Sequence, residues 1–242
     1  LYFFSGLFLY FFNRKSKKRR LVWGSTPILN NKYWSSAMKK AGFYSDTYVT
    51  KPYSVNKNSD WDKLLVTKYK IPPTLGRYFA FLESLFLYDI FFISFEGFFI
   101  GDTPLKKFQS FFFRLARKKV VVLPYGADAS VYRNIRSTSA AHGFNISYPE
   151  AARKQNIIFK QVEYWTKNAD AIIPAGMFPD GIGRWDVFLP SSIIFSPASI
   201  FIVSASSNGL ENLNDHNFLQ FKSTIIDISA SDAINSVKLF LS

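Results

Sequence analysis

Apolar and polar positions fall into blocks along the chain, and the blocks repeat in a fixed order. Leu21-Val22-Trp23 is a short apolar run that meets a Gly24-Ser25-Thr26-Pro27 turn. Beyond the turn, Tyr33, Trp34, Ala37, Met38 and Ala41 recur at helical spacing. The pattern predicts strand, loop, helix. Asn31 suits the N-cap, Lys39 and Lys40 suit the last turn, and Gly42 suits the position just past the end. Tyr44–Val49 predicts a second strand. Residues 50–63 are polar and punctuated by Pro52, which predicts a surface loop with one short turn. Pro72-Pro73-Thr74 breaks the chain and caps a helix over residues 75–88. That segment is apolar nearly all round, as suits a helix packed on a sheet and covered by neighbours.

The second half continues the alternation. Ile90–Phe95 reads as a central parallel strand buried on both faces, ending at Glu96-Gly97. Thr103-Pro104 opens a helix whose apolar face is Leu105, Phe108, Phe112 and Leu115, with Arg114, Arg117 and Lys118 charging its end. Val120–Leu123 is another buried strand, stopped by Pro124-Tyr125-Gly126-Ala127-Asp128. Residues 129–146 read as polar and irregular. A helix then runs from about Ser147 to Lys167, with Ile158, Val162 and Trp165 as its apolar side. Ala169–Ile173 predicts a short strand, residues 176–183 a loop, and Trp185–Leu189 one more strand.

This order predicts an α/β fold: a Rossmann-like, doubly wound parallel sheet with right-handed crossovers. Residues 21–190 form that domain. It is preceded by an apolar and basic segment (1–20) and followed by a short tail (191–242) with a strand-like Ser223–Ile228 and a helix-like Ser231–Leu241. The 52 residues after Pro190 are too few for a second doubly wound domain, which needs on the order of 100. In a parallel sheet, the turns at Gly24–Pro27, Glu96-Gly97 and Tyr125–Asp128 emerge on one edge, where such sheets bind ligands.

Charge and composition add to this picture at the N-terminus. Residues 1–12 are almost wholly apolar, and residues 13–20 carry Arg14, Lys15, Lys17, Lys18, Arg19 and Arg20. A membrane span takes roughly 20 apolar residues, so the run is too short to cross alone. It fits the end of a span or a shallow anchor whose basic cluster meets anionic lipid at the cytoplasmic face. A core strand followed by a solvated basic loop fits the same residues. Removing those six charges from the net +13 leaves +7, a mildly basic remainder that does not indicate nucleic-acid binding by the fold. The chain opens on Leu1, and its two methionines are Met38 and Met177, as expected of a processed or truncated piece. It has no cysteine, which excludes disulfides and thiolate metal sites. Its 27 phenylalanines either fill core positions or make a surface for lipid or a partner.

The familiar nucleotide and nucleophile motifs are missing: no GxxxxGK[ST], no GxGxxG after the first strand, and no GxSxG. His142 and His216 show no metal spacing; His142 could act as a base if its loop folds over the crest. Three turns remain. In Gly24-Ser25-Thr26, the glycine lets a ligand approach the backbone and the following helix start favours an anion, with Asn31 beside it; an ordinary βα turn is the alternative. Glu96-Gly97 places a carboxylate where it can bind sugar hydroxyls or act as a base, or merely close a turn. Tyr125-Gly126-Ala127-Asp128 supplies a second carboxylate, with Arg133 nearby to meet phosphate; Asp128 as a turn residue is the plainer option.

WGSTPILNNKYWSSAMKKAGF, the strand ending in FEG, VVVLPYGADASVYR and WTKNADAIIPAG together resemble the N-terminal half of GT-B-fold glycosyltransferases of the bacterial surface-polysaccharide type. The resemblance spans roughly residues 21–190. It implies transfer of a sugar from a nucleotide-sugar, as co-substrate, to a glycan or lipid-linked acceptor held by this half, with no obligatory metal or cofactor. On that resemblance Asp128 or Glu96 would be the base. Gly24, Ser25, Thr26, Asn31, Gly97, Tyr125, Gly126 and Arg133 would bind substrate. The donor-binding half of the family is missing from the sequence, so a partner subunit or further domain is expected to supply it. A non-catalytic sugar- or lipid-binding module, or the regulatory half of a two-subunit transferase, is the alternative.

Overall fold

The computed structural model describes residues 19–54, 56–69, 71–174, 179–186, 192–194 and 200–202. Its centre is a six-stranded, all-parallel sheet: β1 (Arg20–Trp23), β2 (Tyr44–Val49), β3 (Lys63–Leu64), β4 (Ile90–Ile93), β5 (Lys119–Val122) and β6 (Ala171–Ile172). The spatial order is β3-β2-β1-β4-β5-β6. Val22 lies opposite Asp46 on one side and Phe91 on the other, and Phe91 opposite Val120. This is the Rossmann-like order, in which the chain reverses its direction of winding between β1 and β4.

Eight helices are described: α1 (Leu29–Lys40), α2 (Leu65–Lys68), α3 (Pro73–Leu87), α4 (Gln109–Leu115), α5 (Thr138–Ser147), α6 (Pro149–Arg153), α7 (Gln155–Asn168) and α8 (Pro179–Ile182). They lie on both faces because each central strand alternates two apolar sets. Val22, Phe91, Ile93, Val120 and Val122 pack with Ala80, Phe81 and Leu85 of α3, Phe112 and Phe113 of α4, and Ile158, Val162 and Trp165 of α7. Leu21, Trp23, Ile90, Phe92 and Val121 pack with Met38 of α1 on the other face. An antiparallel pair, β7 (Ser192–Ile194) with β8 (Ile200–Ile202), forms a separate two-stranded sheet.

Most of the described phenylalanines serve the core. Phe81, Phe91, Phe95, Phe98, Phe99 and Phe113 are all within 2% of full burial. They meet mostly edge to face, as in Phe91–Phe98 at 5.4 Å and Phe81–Phe113 at 5.2 Å. Each such burial stabilises the fold by about 1.5–3 kcal/mol. Among the described residues no helix is long and apolar enough to cross a membrane. Residues 1–12 and Arg14, Lys15, Lys17 and Lys18 lie outside them, as do Ser223–Ile228 and Ser231–Leu241. Arg19 is exposed ahead of the sheet, whereas Arg20 is the first residue of β1, its amide donating to Asp89 Oδ2 at 2.9 Å.

Several local expectations need correction. Asn31 is not the N-cap of α1; that place belongs to Ile28, which makes no side-chain cap bond. The helix begins three residues earlier, and Asn31 faces inward, fully buried. The C-terminus is as expected: Gly42 N donates to Lys39 O and Phe43 N to Met38 O, both at 3.0 Å, with Gly42 at φ 87°. The loop expected over residues 50–63 runs into the edge strand β3, whose first residue is Lys63. The helix after Thr103 opens as a 3-10 turn over Pro104–Phe108. That tighter turn shifts the helical phase, so Phe112 and Phe113 are buried and Phe108 is 53% exposed. Residues 129–146, expected to be irregular, contain α5, which Ser137 caps by accepting from Ala140 N at 3.3 Å. The long helix expected up to Lys167 is two helices that part at Lys154. Trp185 and Asp186 are not in a strand; Asp186 caps the end of β6 through Ile172 N at 2.8 Å. Residues 176–178 and 187–189 lie outside the described residues, and Gly181 and Ile182 belong to α8 rather than a loop.

Candidate functional site

The C-terminal ends of β1, β4 and β5 lie side by side, so the three turns form one rim at the point where the winding reverses. Gly24 extends β1 by one bond, its N–H donating to Phe92 O at 3.1 Å. A Cβ at Gly24 would lie 2.0 Å from Tyr48 O. The glycine is therefore demanded by β2, and the close approach ascribed to a ligand is made by the protein's own backbone. Ser25 O accepts from Thr50 N at 3.1 Å, and Pro27 O from Asn56 Nδ2 at 3.1 Å, so the loop after β2 is tied to this turn. Thr26 O accepts both Ile28 N and the Asn31 amide. Ser25 and Thr26 remain half-buried at the end of β1.

After β4 the chain makes a tight turn, Gly97 N donating to Ser94 O at 3.0 Å. Gly97 adopts φ 92°, and a Cβ there would lie 2.5 Å from Gln109 Nε2. Gln109, buried at the start of α4, accepts Phe98 N at 2.9 Å and so fixes the turn from below. Gly97 is thus a buried turn residue packed against the Gln109 side chain. Glu96, at the tip, is exposed and makes no hydrogen bond or ion pair among the described residues. Loss of solvation at the crest raises its pKa, Asp102 adds repulsion, and Lys154 partly offsets both. The Tyr53 hydroxyl is also held above its ordinary pKa, chiefly by burial and then by the charge of Glu96, which places the β2 loop beside the same carboxylate. Ser94, at 1% exposure, has no hydrogen-bond partner for its Oγ among the described residues.

After β5, Asp128 folds back on its own turn. Oδ1 accepts Tyr125 N at 2.8 Å and Oδ2 accepts Phe95 N at 3.1 Å, so one carboxylate clasps the β4 and β5 turns together. Burial outweighs those two bonds and, with repulsion from Glu96, pushes the carboxyl up to about 7. Tyr125 reaches the other way, its hydroxyl donating to Asn31 Oδ1 at 2.9 Å, and burial raises its pKa. A chain of contacts thus runs Thr26–Asn31–Tyr125–Asp128–Phe95 across all three turns. Gly126 takes φ 142° with no atom within 4 Å of a would-be Cβ, so its backbone needs glycine while the space beside it stays open. Arg133 does not join the rim. Its guanidinium lies 3.4 Å over the Phe159 ring of α7 and adds a minor share to the lowering of the Glu163 pKa, which the hydrogen bond and charge of Lys167 chiefly cause.

The rim therefore brings together Ser25, Thr26, Asn31, Glu96, Tyr125, Gly126 and Asp128, and leaves out Gly97 and Arg133. Sequence patterns missed Tyr53, Ser94, Gln109 and Lys154; Tyr53 and Lys154 are exposed polar-loop and helix-junction residues with no periodic signal. His142 is exposed on α5, and His216 lies outside the described residues. No group of three or more histidine or carboxylate side chains able to hold a metal occurs among the described residues. Chemically, the rim offers a free carboxylate beside a second one of raised proton affinity, flanked by hydroxyl and amide groups: the equipment to bind a polyhydroxylated ligand and accept a proton from it. No family model matches the chain, and no match was found among curated proteins or solved structures.

Proposed function

We propose that this domain is the acceptor-binding half of a GT-B-type glycosyltransferase, acting on a glycan or lipid-linked acceptor at the inner face of a membrane. The observation that carries the reading is Glu96: an exposed carboxylate without a partner among the described residues, pKa raised, at the strand reversal where Rossmann-like sheets hold ligands. Glu96 takes the proton from an acceptor hydroxyl. The oxygen then forms a bond to the anomeric carbon of the sugar as the bond to the nucleoside diphosphate breaks, and the diphosphate leaves with the electron pair. Asp128 holds the β4 and β5 turns so that Glu96 faces the acceptor, while Ser25, Thr26 and Tyr125, the last held in place by the buried Asn31, line the sugar's side. The nucleotide-sugar is brought by a donor-binding unit supplied by a partner subunit or another part of the protein. The basic residues Arg14 to Arg19 keep the rim near a lipid-borne acceptor.

The test compares wild type with Glu96→Gln in transfer of labelled sugar from nucleotide-sugars to membrane glycolipids, using membranes that contain the full protein and its partners. Loss of about 10²–10⁴-fold in rate with acceptor binding retained is expected for a general base. Equal rates for the two proteins would overturn the assignment. The second reading, a non-catalytic sugar-binding module, draws on the engagement of both Asp128 oxygens by backbone amides. Glycan binding without transfer by the wild-type protein would favour it.

A further inference from the structure

A groove of about 720 Å³ leaves the rim at Phe95 and Glu96 and runs between α7 and the 104–115 segment. Its width is set by Tyr164, whose hydroxyl accepts Ser110 N at 3.0 Å and reaches Lys107 O at 3.1 Å. Trp165, 2% exposed, belongs to its floor. Lys106 and Lys107 line one wall, and Lys160 and Lys167 the other. Lys160 and Lys167 stand two helical turns apart, on one face of α7. Glu163 answers Lys167 alone, at 2.7 Å, while Lys106, Lys107 and Lys160 form no ion pair among the described residues. Four lysines against Glu96 and Glu163 leave the groove with two excess positive charges. From Ile157 to Lys167 the wall is about 15 Å long at 1.5 Å per residue.

We propose that this groove binds an extended acidic glycan and delivers its end to Glu96. A small anion would need one convergent pocket, whereas here the cations are spread along both walls of a channel whose sides carry Gln161, Tyr164 and Asn168. That pattern suits a chain bearing repeated carboxylates between hydroxyl-bearing sugar rings. The proposal rests on the reading of the rim as an acceptor site, since it names the acceptor's chemical class.

Isothermal titration of the full protein with a galacturonate hexamer and with its methyl-esterified, uncharged form tests it. The acidic hexamer should bind at least tenfold more tightly than the ester, and binding should weaken as salt rises from 50 to 300 mM. Removing Lys106, Lys107 and Lys160 together by alanine should cost about tenfold. Removing the three exposed lysines Lys39, Lys40 and Lys119 on other surfaces should leave affinity unchanged. Equal affinity for the ester, unchanged binding in the groove variant, or equally tight binding of an oligonucleotide or of inorganic polyphosphate would overturn the proposal. Glu96→Gln separates it from the catalytic reading: acidic-glycan binding should survive in this variant. Groove binding that persists while transfer is equal in wild type and Glu96→Gln would sink only the catalytic reading.

Discussion

Replacing Asp128 with asparagine should leave stability nearly unchanged in mild acid and raise it in mild alkali. The carboxyl titrates near 7 in the folded protein and near 3.9 in the unfolded chain. Between those values the folded state holds a proton that the unfolded state lacks, so this group's contribution to stability is greatest below about pH 4 and is lost as pH rises to about 7. The full interval of about 3 units corresponds to about 4 kcal/mol, at 1.36 kcal/mol per unit. At pH 4.5 the neutral acid and the amide are near-isosteres. The asparagine NH2 cannot accept Phe95 N or Tyr125 N as the acid's hydroxyl oxygen can, which costs about 1 kcal/mol; ionisation of the unfolded wild-type chain has by then removed about as much, so the two proteins should be about equally stable at that pH. At pH 8.5 the wild type has lost its contribution, and the variant should lead by about 3 kcal/mol. Asp60, Asp62 and Glu83 have lowered pKa values and pull the other way in acid; they are common to both proteins and cancel in the difference. Urea unfolding at the two pH values reads the result directly, as a midpoint gap of about 1.5 M for an m-value near 2 kcal/mol/M. Parallel pH profiles would refute the reasoning. A wild type that gained on the variant with rising pH would show that the two amides outweigh burial and that Asp128 is a plain ionised cap.

Alanine at Gly24 should destabilise by at least about 3 kcal/mol, because the new Cβ meets the Tyr48 carbonyl and neither strand can retreat within the ladder; alanine at Gly42, with φ 87° and open space around it, should cost about 1 kcal/mol, mainly from backbone strain. Thermal melts of the two variants decide the ranking. Gln109→Leu should cost about 1–3 kcal/mol by leaving Phe98 N buried and unpaired, and should raise proteolytic cleavage in the 94–103 turn ahead of global unfolding. Trp165→Ala, in the core under α7, should cost about 3–5 kcal/mol in denaturant unfolding.

The parts of the fold that were legible are those whose surroundings are uniform. β4 and β5 are buried on both faces, so their apolar runs stand out whatever the neighbours are. Gly42 was legible because a helix end demands a left-handed residue from within the helix itself. β3 was not, because two residues on a sheet edge, one of them Lys63, carry no pattern of their own; pairing with β2 makes them a strand. The phase of α4 was lost at Thr103, where a 3-10 turn replaced a regular one and moved burial from Phe108 to Phe113. α5 buries no residue, so it left no periodic trace beyond its Ser137 cap.

The site shows a sharper limit. Gly24, Gly97 and Gly126 all marked the rim, and a glycine at a strand end reads naturally as room for a ligand. In space the three answer to different masters: Gly24 to the Tyr48 carbonyl, Gly97 to the Gln109 side chain, and Gly126 to its own backbone angle. Only the last leaves open space beside it. The two carboxylates divide in the same way. Glu96 and Asp128 are equivalent as residue types, yet Phe95 N, thirty-three positions from Asp128, takes one of its oxygens and turns it into a clasp, while Glu96, at the tip of its turn, has no partner among the described residues. A local sequence states that a position is special but not which distant atom makes it so. The residue to test for chemistry is therefore the one whose polar group the fold has not already used, which makes Glu96 a stronger candidate base than Asp128.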